Sequence, residues 1–204
     1  MHHSTGMMQR GLGGEPTEKS HEVLALAPER FIAGRRLEVG DIAAQAGVNR
    51  STVYRRFNGR DGLLADVIWS LTEMSIDAAQ RRAVGEGAAR VVSMMSEFAA
   101  LANRAVYFRD FLTREPERAW RLMTTRVGGV QPRIVAKVAE FIDVEVDAGR
   151  LEPPLPVPDL ALILVRITET FVYANIISGE EPDAQKVAQA CGAMLGVRAP
   201  AVTR

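Results

Sequence analysis

Apolar side chains return every three to four residues along most of the chain, and glycine, proline, asparagine and aspartate interrupt the rhythm at intervals. No stretch alternates apolar and polar positions as a half-buried strand does, so an all-α fold is expected. The pattern predicts helices over about 20–33, 39–46, 49–57, 61–83, 88–102, 104–113, 117–127, 132–149, 159–178 and 183–196. Pro28 falls inside the first and predicts a kink there, or a start nearer to it. Asp61 and Asp159 stand where the N-caps of 61–83 and 159–178 belong. Gly85-Glu86-Gly87 marks a break, and the proline-rich run from Leu151 to Pro158 reads as a stiff connection. The chain thus divides into a polar, glycine-rich tail (1–18), a small head (19–60), a linking helix (61–83) and a helical body (84–204).

The segment from Val39 to Phe57 has the requirements of two short helices crossing steeply. Ala43 is the small residue at their contact, Gly47 the turn residue that tolerates positive φ, and Ile42, Ala46, Val48 and Val53 the inner plugs. Asn49 sits at the N-cap position of the second helix. That helix then presents Arg50, Ser51, Thr52, Tyr54, Arg55 and Arg56, and no acid occurs between Asn49 and Arg60. Lys+Arg and Asp+Glu both number 25, so a uniformly basic coat is excluded while a local basic face is not. Arginine can pair with guanine edges in a major groove, and hydroxyls and the helix N-terminus can grip phosphates. The candidate DNA-binding set is Asn49, Arg50, Ser51, Thr52, Tyr54, Arg55, Arg56 and Arg60. The competing reading is a core hairpin with a solvated arginine face, and the joint placement of Ala43, Gly47, Val48 and Val53 argues against it.

The run from Ile42 to Phe57, followed by Asp61-Gly-Leu-Leu64, resembles the head of the TetR family, whose usual pattern is "IA..AGVS..TLY.HF..K..LL". The resemblance covers about residues 28–70. Asn49 replaces the commoner Ser, Arg56 a common His, and Arg60 a Lys that often contacts a phosphate. Glu38 replaces the usual Thr, and Pro28 interrupts the first helix. The resemblance implies a three-helix helix-turn-helix head, a linking fourth helix, a body that dimerises and binds a ligand, and repression of a palindromic double-stranded DNA operator that the ligand relieves. Shorter matches at Phe31–Gly34, Thr113–Arg118, Arg166–Glu169 and Tyr173–Asn175 are similar to a QsdR-like subgroup, which implies lactone-type signals.

In the body, Met94 and Phe98, Tyr107 and Phe111, and Trp120 and Met123 lie on three successive helices as pocket material; core packing is the plainer alternative. Helix 159–178 is apolar on nearly every side except for a stripe of Arg166, Glu169, Thr170 and Tyr173. That stripe either faces a ligand cavity or holds a structural Arg166–Glu169 pair. Helix 183–196 carries Ala184, Val187, Ala188, Cys191, Met194 and Leu195 on one face. With helix 159–178 it forms either a dimer seam or an ordinary intramolecular contact.

Cys191 is the single cysteine, which excludes an intramolecular disulfide and suits a reducing, cytoplasmic setting. His2, His3 and His21 have no zinc-ligand spacing relative to it, and no cofactor is expected. No nucleophile–base constellation appears, so an enzyme is not expected; Asp143 and Glu145 read as solvated helix surface. The start of the chain lacks the apolar run of a signal peptide. The apolar stretch Leu160–Val165 is stopped by Arg166, too soon to span a bilayer. The expected function is a homodimeric repressor released by a small hydrophobic effector, lactone- or fatty-acid-like. The alternative is a DNA-binding regulator controlled by a protein partner, without a small molecule.

Overall fold

The computed structural model describes residues 18–197, and among them eleven α-helices and one 3-10 turn occur and no strand. The expected tail, but for Glu18, lies outside the described residues. α1 (Glu18–Ile32) runs on through Pro28. Proline removes one backbone bond there, but Val23, Ala27 and Phe31, spaced four apart, bury one face and offset the loss. Gly34, at φ +69°, ends the helix, and the Arg35 amide donates back to the Arg30 carbonyl.

α2 (Val39–Gln45) and α3 (Arg50–Phe57) follow, turned against each other at Gly47, whose φ of +63° strains any residue with a Cβ. Ile42, Ala43, Ala46 and Val53 are buried between them as the pattern requires. α4 (Gly59–Arg82) begins two residues before Asp61, because Asn58 adopts the left-handed conformation and turns α3 directly into α4. Asp61 therefore caps nothing. It lies in the first turn and pairs with Arg118 and Arg121.

The body consists of α5 (Gly87–Arg104), α6 (Val106–Arg114), α7 (Pro116–Thr124), a 3-10 turn at Arg126–Gly128, α8 (Val130–Asp147), α9 (Val157–Val172), α10 (Ala174–Ile177) and α11 (Ala184–Met194). α5 packs against α4, α9 and α11, and α8 lies across α4 and α9. The helix expected over 117–127 stops at Thr124, where the Thr125 hydroxyl accepts from the Gly128 amide and closes the 3-10 turn. The helix expected over 159–178 starts at Val157, since Pro158 suits a first turn, and breaks at Tyr173. Asp159 is inside that first turn, favourable to the helix dipole but not a cap. No described helix is long and apolar enough to cross a membrane.

Glu145 is not solvated surface: it is fully buried, and accepts from the Gly87 amide, Arg90 and Arg150. The stripe on α11 is not an open seam. Val187 and Cys191 are fully buried, Ala188 is buried, and Ala184, Met194 and Leu195 are half-buried, because the small residues let α11 seat closely on α5 and α9 of the same chain. The Ser96 hydroxyl donates to the Ala184 carbonyl across that contact. Burial pushes the Cys191 thiol up to about 12, so it is an unreactive core residue.

Candidate DNA-reading face and effector chamber

α3 turns Val53 and Phe57 into the head and leaves Arg50, Ser51, Tyr54, Arg55 and Arg56 exposed, with Thr52 half-buried. Arg50 and Tyr54, one turn apart, act as a unit. The guanidinium lies 5.3 Å from the ring centroid and donates to the phenol oxygen at 3.3 Å. Asn49 is extended before the helix but its side chain accepts no cap bond; its carbonyl takes the Thr52 amide, and the Arg50 and Ser51 amides stay open to an outside acceptor.

Arg60 departs from the expected set. Its side chain is only 13% exposed and faces the body. Nε donates to the Leu37 carbonyl at 2.6 Å, and the two terminal nitrogens grip Glu115 at 2.9 and 2.7 Å. A guanidinium so occupied is not free to hold a phosphate. The arrangement follows from tertiary placement, since the start of α4 abuts the α6–α7 corner. The Arg60 hydrogen bond, helped by Arg118, holds the Glu115 carboxyl at about 2. Arg114 donates to the Gly34 carbonyl, and Arg118 and Arg121 meet Asp61. One corner of the body thus clasps the head at two points and the start of the linking helix at a third.

A chamber of about 50 Å³ opens between α1, α4, α5, α6, α7, α8 and α9. Of the expected pocket residues, Phe98, Tyr107, Met123, Glu169 and Tyr173 line it. The others do not. Met94 is fully buried in the core away from it. Phe111 faces a different cleft. Trp120 is 45% exposed and meets only the edge of Tyr173, with centroids 6.1 Å apart. Thr170 is exposed and donates to the Arg166 carbonyl. Arg166 lies outside and ties α9 to its neighbours: it reaches Glu169 at 2.7 Å and the Thr124 carbonyl at 3.3 Å, and Gln131, with its amide oxygen turned toward it, at 2.9 Å. The two readings of the polar stripe therefore divide between residues. Arg166 is the structural clamp and Glu169 faces the chamber.

Sequence reasoning missed the wall from α4 (Ile68, Leu71, Thr72, Ser75) and Phe31 from the head. The α4 set has the spacing i, i+3, i+4, i+7, which was a readable signal. Glu169 is the chamber's unusual group. One oxygen takes Arg166; the other is buried without a partner. Burial pushes its carboxyl above the usual range, and burial next to Glu169 likewise keeps the Tyr173 phenol protonated.

A second cavity, about 290 Å³, lies where the head meets the α6–α7 corner. Arg35, Arg36, Arg60, Arg114 and Glu115 line it, with Phe31 and Phe111 on its floor. Phe31 borders both cavities and meets Tyr107 and Phe111 edge to face, at 5.8 and 5.4 Å. Elsewhere, Leu162 on α9 and Ile176 and Ile177 on α10 remain exposed.

A family model described as "Tetracyclin repressor-like, C-terminal domain" matches residues 86–196, and one described as "Bacterial regulatory proteins, tetR family" matches 35–67. Among solved structures, the chain is similar to the transcriptional repressor QsdR of R. erythropolis, from the TetR family, at 25% identity over 92% of this chain and 100% of that one, with a TM-score of 0.83. It is also similar to the TetR family repressor AlkX of a Dietzia species, implicated in biodegradation of n-alkanes, at 19% identity over 90% and 96%, TM-score 0.60. The transcriptional regulator FadR from Bacillus subtilis, in complex with stearoyl-CoA, is 12% identical over 90% and 99%, TM-score 0.52. No curated protein sequence matches the chain.

Proposed function

The chain belongs to the TetR family of bacterial regulatory proteins, and we propose that it works as a cytoplasmic, dimeric repressor that a small apolar effector releases from a palindromic operator. It is a DNA-binding transcriptional regulator of a family that is not one of enzymes. In this reading residues 19–60 read DNA, 61–83 transmit the signal and 84–204 sense and pair. Arg50 and Tyr54 meet base edges or phosphates together, with Arg55 and Arg56 on the flanking backbone. A single head buries too little groove surface for tight binding, so two heads on a two-fold axis read two half-sites. Because the α11 stripe is consumed within the chain, the pairing face is instead the exposed apolar side of α9 and α10, around Leu162, Ile176 and Ile177.

The observation that carries the effector reading is the half-satisfied Glu169, the one charged group of a mostly apolar chamber whose walls include α1 and α4. An effector with a hydrogen-bond donor such as a hydroxyl would satisfy the Glu169 oxygen that now lacks a partner. The chamber holds only a few waters' worth of space, whereas small-molecule sites run from about 300 Å³. Entry therefore requires α4 and α6 to part. α4 carries the head directly, and α6 reaches it through Arg114 and Glu115, so the two heads change their spacing and the DNA-competent state is depopulated. The stearoyl-CoA bound by FadR and the n-alkane link of AlkX support an apolar, acyl-like effector. The small chamber volume is the one observation that favours control by a protein partner instead.

Selection of random duplexes on the full chain tests both halves. A palindrome should emerge, and Arg50→Ala with Tyr54→Ala should lose it while remaining helical and dimeric. A long-chain lactone or fatty acid should release the wild type, whereas Ala102→Phe, which fills the chamber, should bind DNA and stay bound. Release of Ala102→Phe at wild-type effector concentrations would exclude the chamber as the sensor.

A further inference from the structure

The arginine-lined cleft between head and body is assigned no role by the reading above, and it touches the chamber through one side chain. Phe31 forms part of both walls. Its ring is buried and meets Tyr107 and Phe111 edge to face, so it stands between the two spaces, and displacing it is what would join them. Together they reach the size at which small-molecule sites begin; the chamber alone does not.

The two ends have opposite polarity. The chamber is apolar apart from Thr72, Ser75, Thr168, its tyrosines and one carboxyl group, Glu169. The cleft carries Arg35, Arg36, Arg60 and Arg114 against a single lining acid, Glu115. Arg60 is bound to Glu115 and Arg36 to Glu38. Arg114 donates from Nε and Nη1 to the Asp110 and Gly34 carbonyls, which leaves its charge uncancelled. Arg35 is exposed and has no ion-pair partner among the described residues. An anion placed at the Glu169 end would meet a carboxyl group; at the cleft end it meets two uncompensated guanidinium groups.

We propose that the effector is an anionic amphiphile that spans both cavities, its apolar chain in the chamber and its carboxylate or phosphate head between Arg35 and Arg114, with Phe31 displaced between them. This rests on the chamber as the effector's seat and adds the head group's identity and position. It also places the ligand's charge beside the Arg60–Glu115 clasp, so that occupancy acts on the head at the point where the body holds it.

The probes are dodecanoate, dodecyl phosphate and dodecan-1-ol, each titrated into the full chain below its aggregation concentration and followed by calorimetry and tryptophan fluorescence. The two anions, or one of them, should bind at least about tenfold tighter than the alcohol, as expected for charge-assisted hydrogen bonds. If only one does, it identifies the head as carboxylate or phosphate. Arg35→Ser, and Arg35→Ser with Arg114→Ser, should abolish that preference and leave binding of the alcohol unchanged. Ala102→Phe should weaken all bound probes. Equal affinities for the alcohol and both anions, a preference that survives the arginine substitutions, or no binding by any probe would overturn the proposal. If the alcohol and anions bind equally and Ala102→Phe still weakens them, the apolar chamber survives as the seat without its charged extension. If Ala102→Phe changes nothing, the chamber itself is not the seat.

Discussion

Glu145 and Glu169 each lie near the C-terminal end of a long helix of the body, each is withdrawn from water, and each meets arginine; they differ in what meets the second oxygen. Glu145 accepts four hydrogen bonds, from the Gly87 amide at 2.9 Å, from Arg150 at 2.7 and 3.1 Å, and from Arg90. The Arg150 bond above all, with the Gly87 amide and Arg90, holds its carboxyl at about 2 despite burial. Glu169 has Arg166 on one oxygen and nothing on the other, and burial prevails and raises its carboxyl. A buried carboxylate with all its acceptor sites met locks the start of α5 to the end of α8. One with half of them met is a standing cost that a ligand's donor can remove. Neither is intelligible from burial alone; the hydrogen-bond partners separate the two.

Substitution at Glu145 should have the largest effect. Glu145→Gln strands Arg90 and Arg150 and should cost about 3 kcal/mol, the low end for breaking a buried pair because both arginines regain some water. Denaturant unfolding measures it, and a loss below about 1 kcal/mol would mean the clasp contributes little. Acid titration is the next contrast. Glu145 has a depressed carboxyl, so its contribution is complete above the ordinary value of 4.5 and disappears as pH falls through about 2. Glu115 behaves in the same way. Glu169 has a raised carboxyl, so its ionisation weakens the fold, and protonation on moving down from neutral pH returns that stability. Glu145→Gln should therefore flatten the acid limb between 4.5 and 2, and Glu169→Gln should leave that limb intact and remove only the change above it. The smallest effect is that of Glu169→Gln at neutral pH, a gain of under about 1 kcal/mol visible as a raised midpoint. A clear loss there would show that the Arg166 pair outweighs the cost of the unmet oxygen, and the contrast with Glu145 would collapse.

The head was legible because its determinants are local. Gly47 must accept positive φ, Ala43 must be small, and Val53 must point inward, and all of these lie within one short segment. Glu145 was legible too and was missed. Ile134, Val138, Phe141, Ile142 and Glu145 fall on one buried stripe of α8, so the acid's position in the helical period announced its burial although its residue type suggested water. Trp120 is the reverse case. Ala119, Leu122 and Met123 form the inner stripe of α7, and Trp120 lies a residue off it and faces out. Arg60 was not legible, since its partner Glu115 is 55 residues away and only the packing of α4 against the α6–α7 corner brings them together. Periodicity showed that the α11 stripe must be covered. It carries no information on whether the cover is the same chain or another copy.

Phe31 belongs to α1, the first helix of the head, yet it walls the body's chamber. The head is therefore not an interchangeable cartridge. Hybrid regulators made by grafting another head at the start of α4 would carry a foreign residue into the chamber and lose the Gly34 side of the Arg114 contact. Their operator preference would follow the donor, but their inducer selectivity would change as well, even with every residue from α4 onward retained. Swapping Phe31 alone back into such a hybrid should recover much of the original selectivity, which makes position 31 the natural place to begin when new DNA specificities are joined to this body.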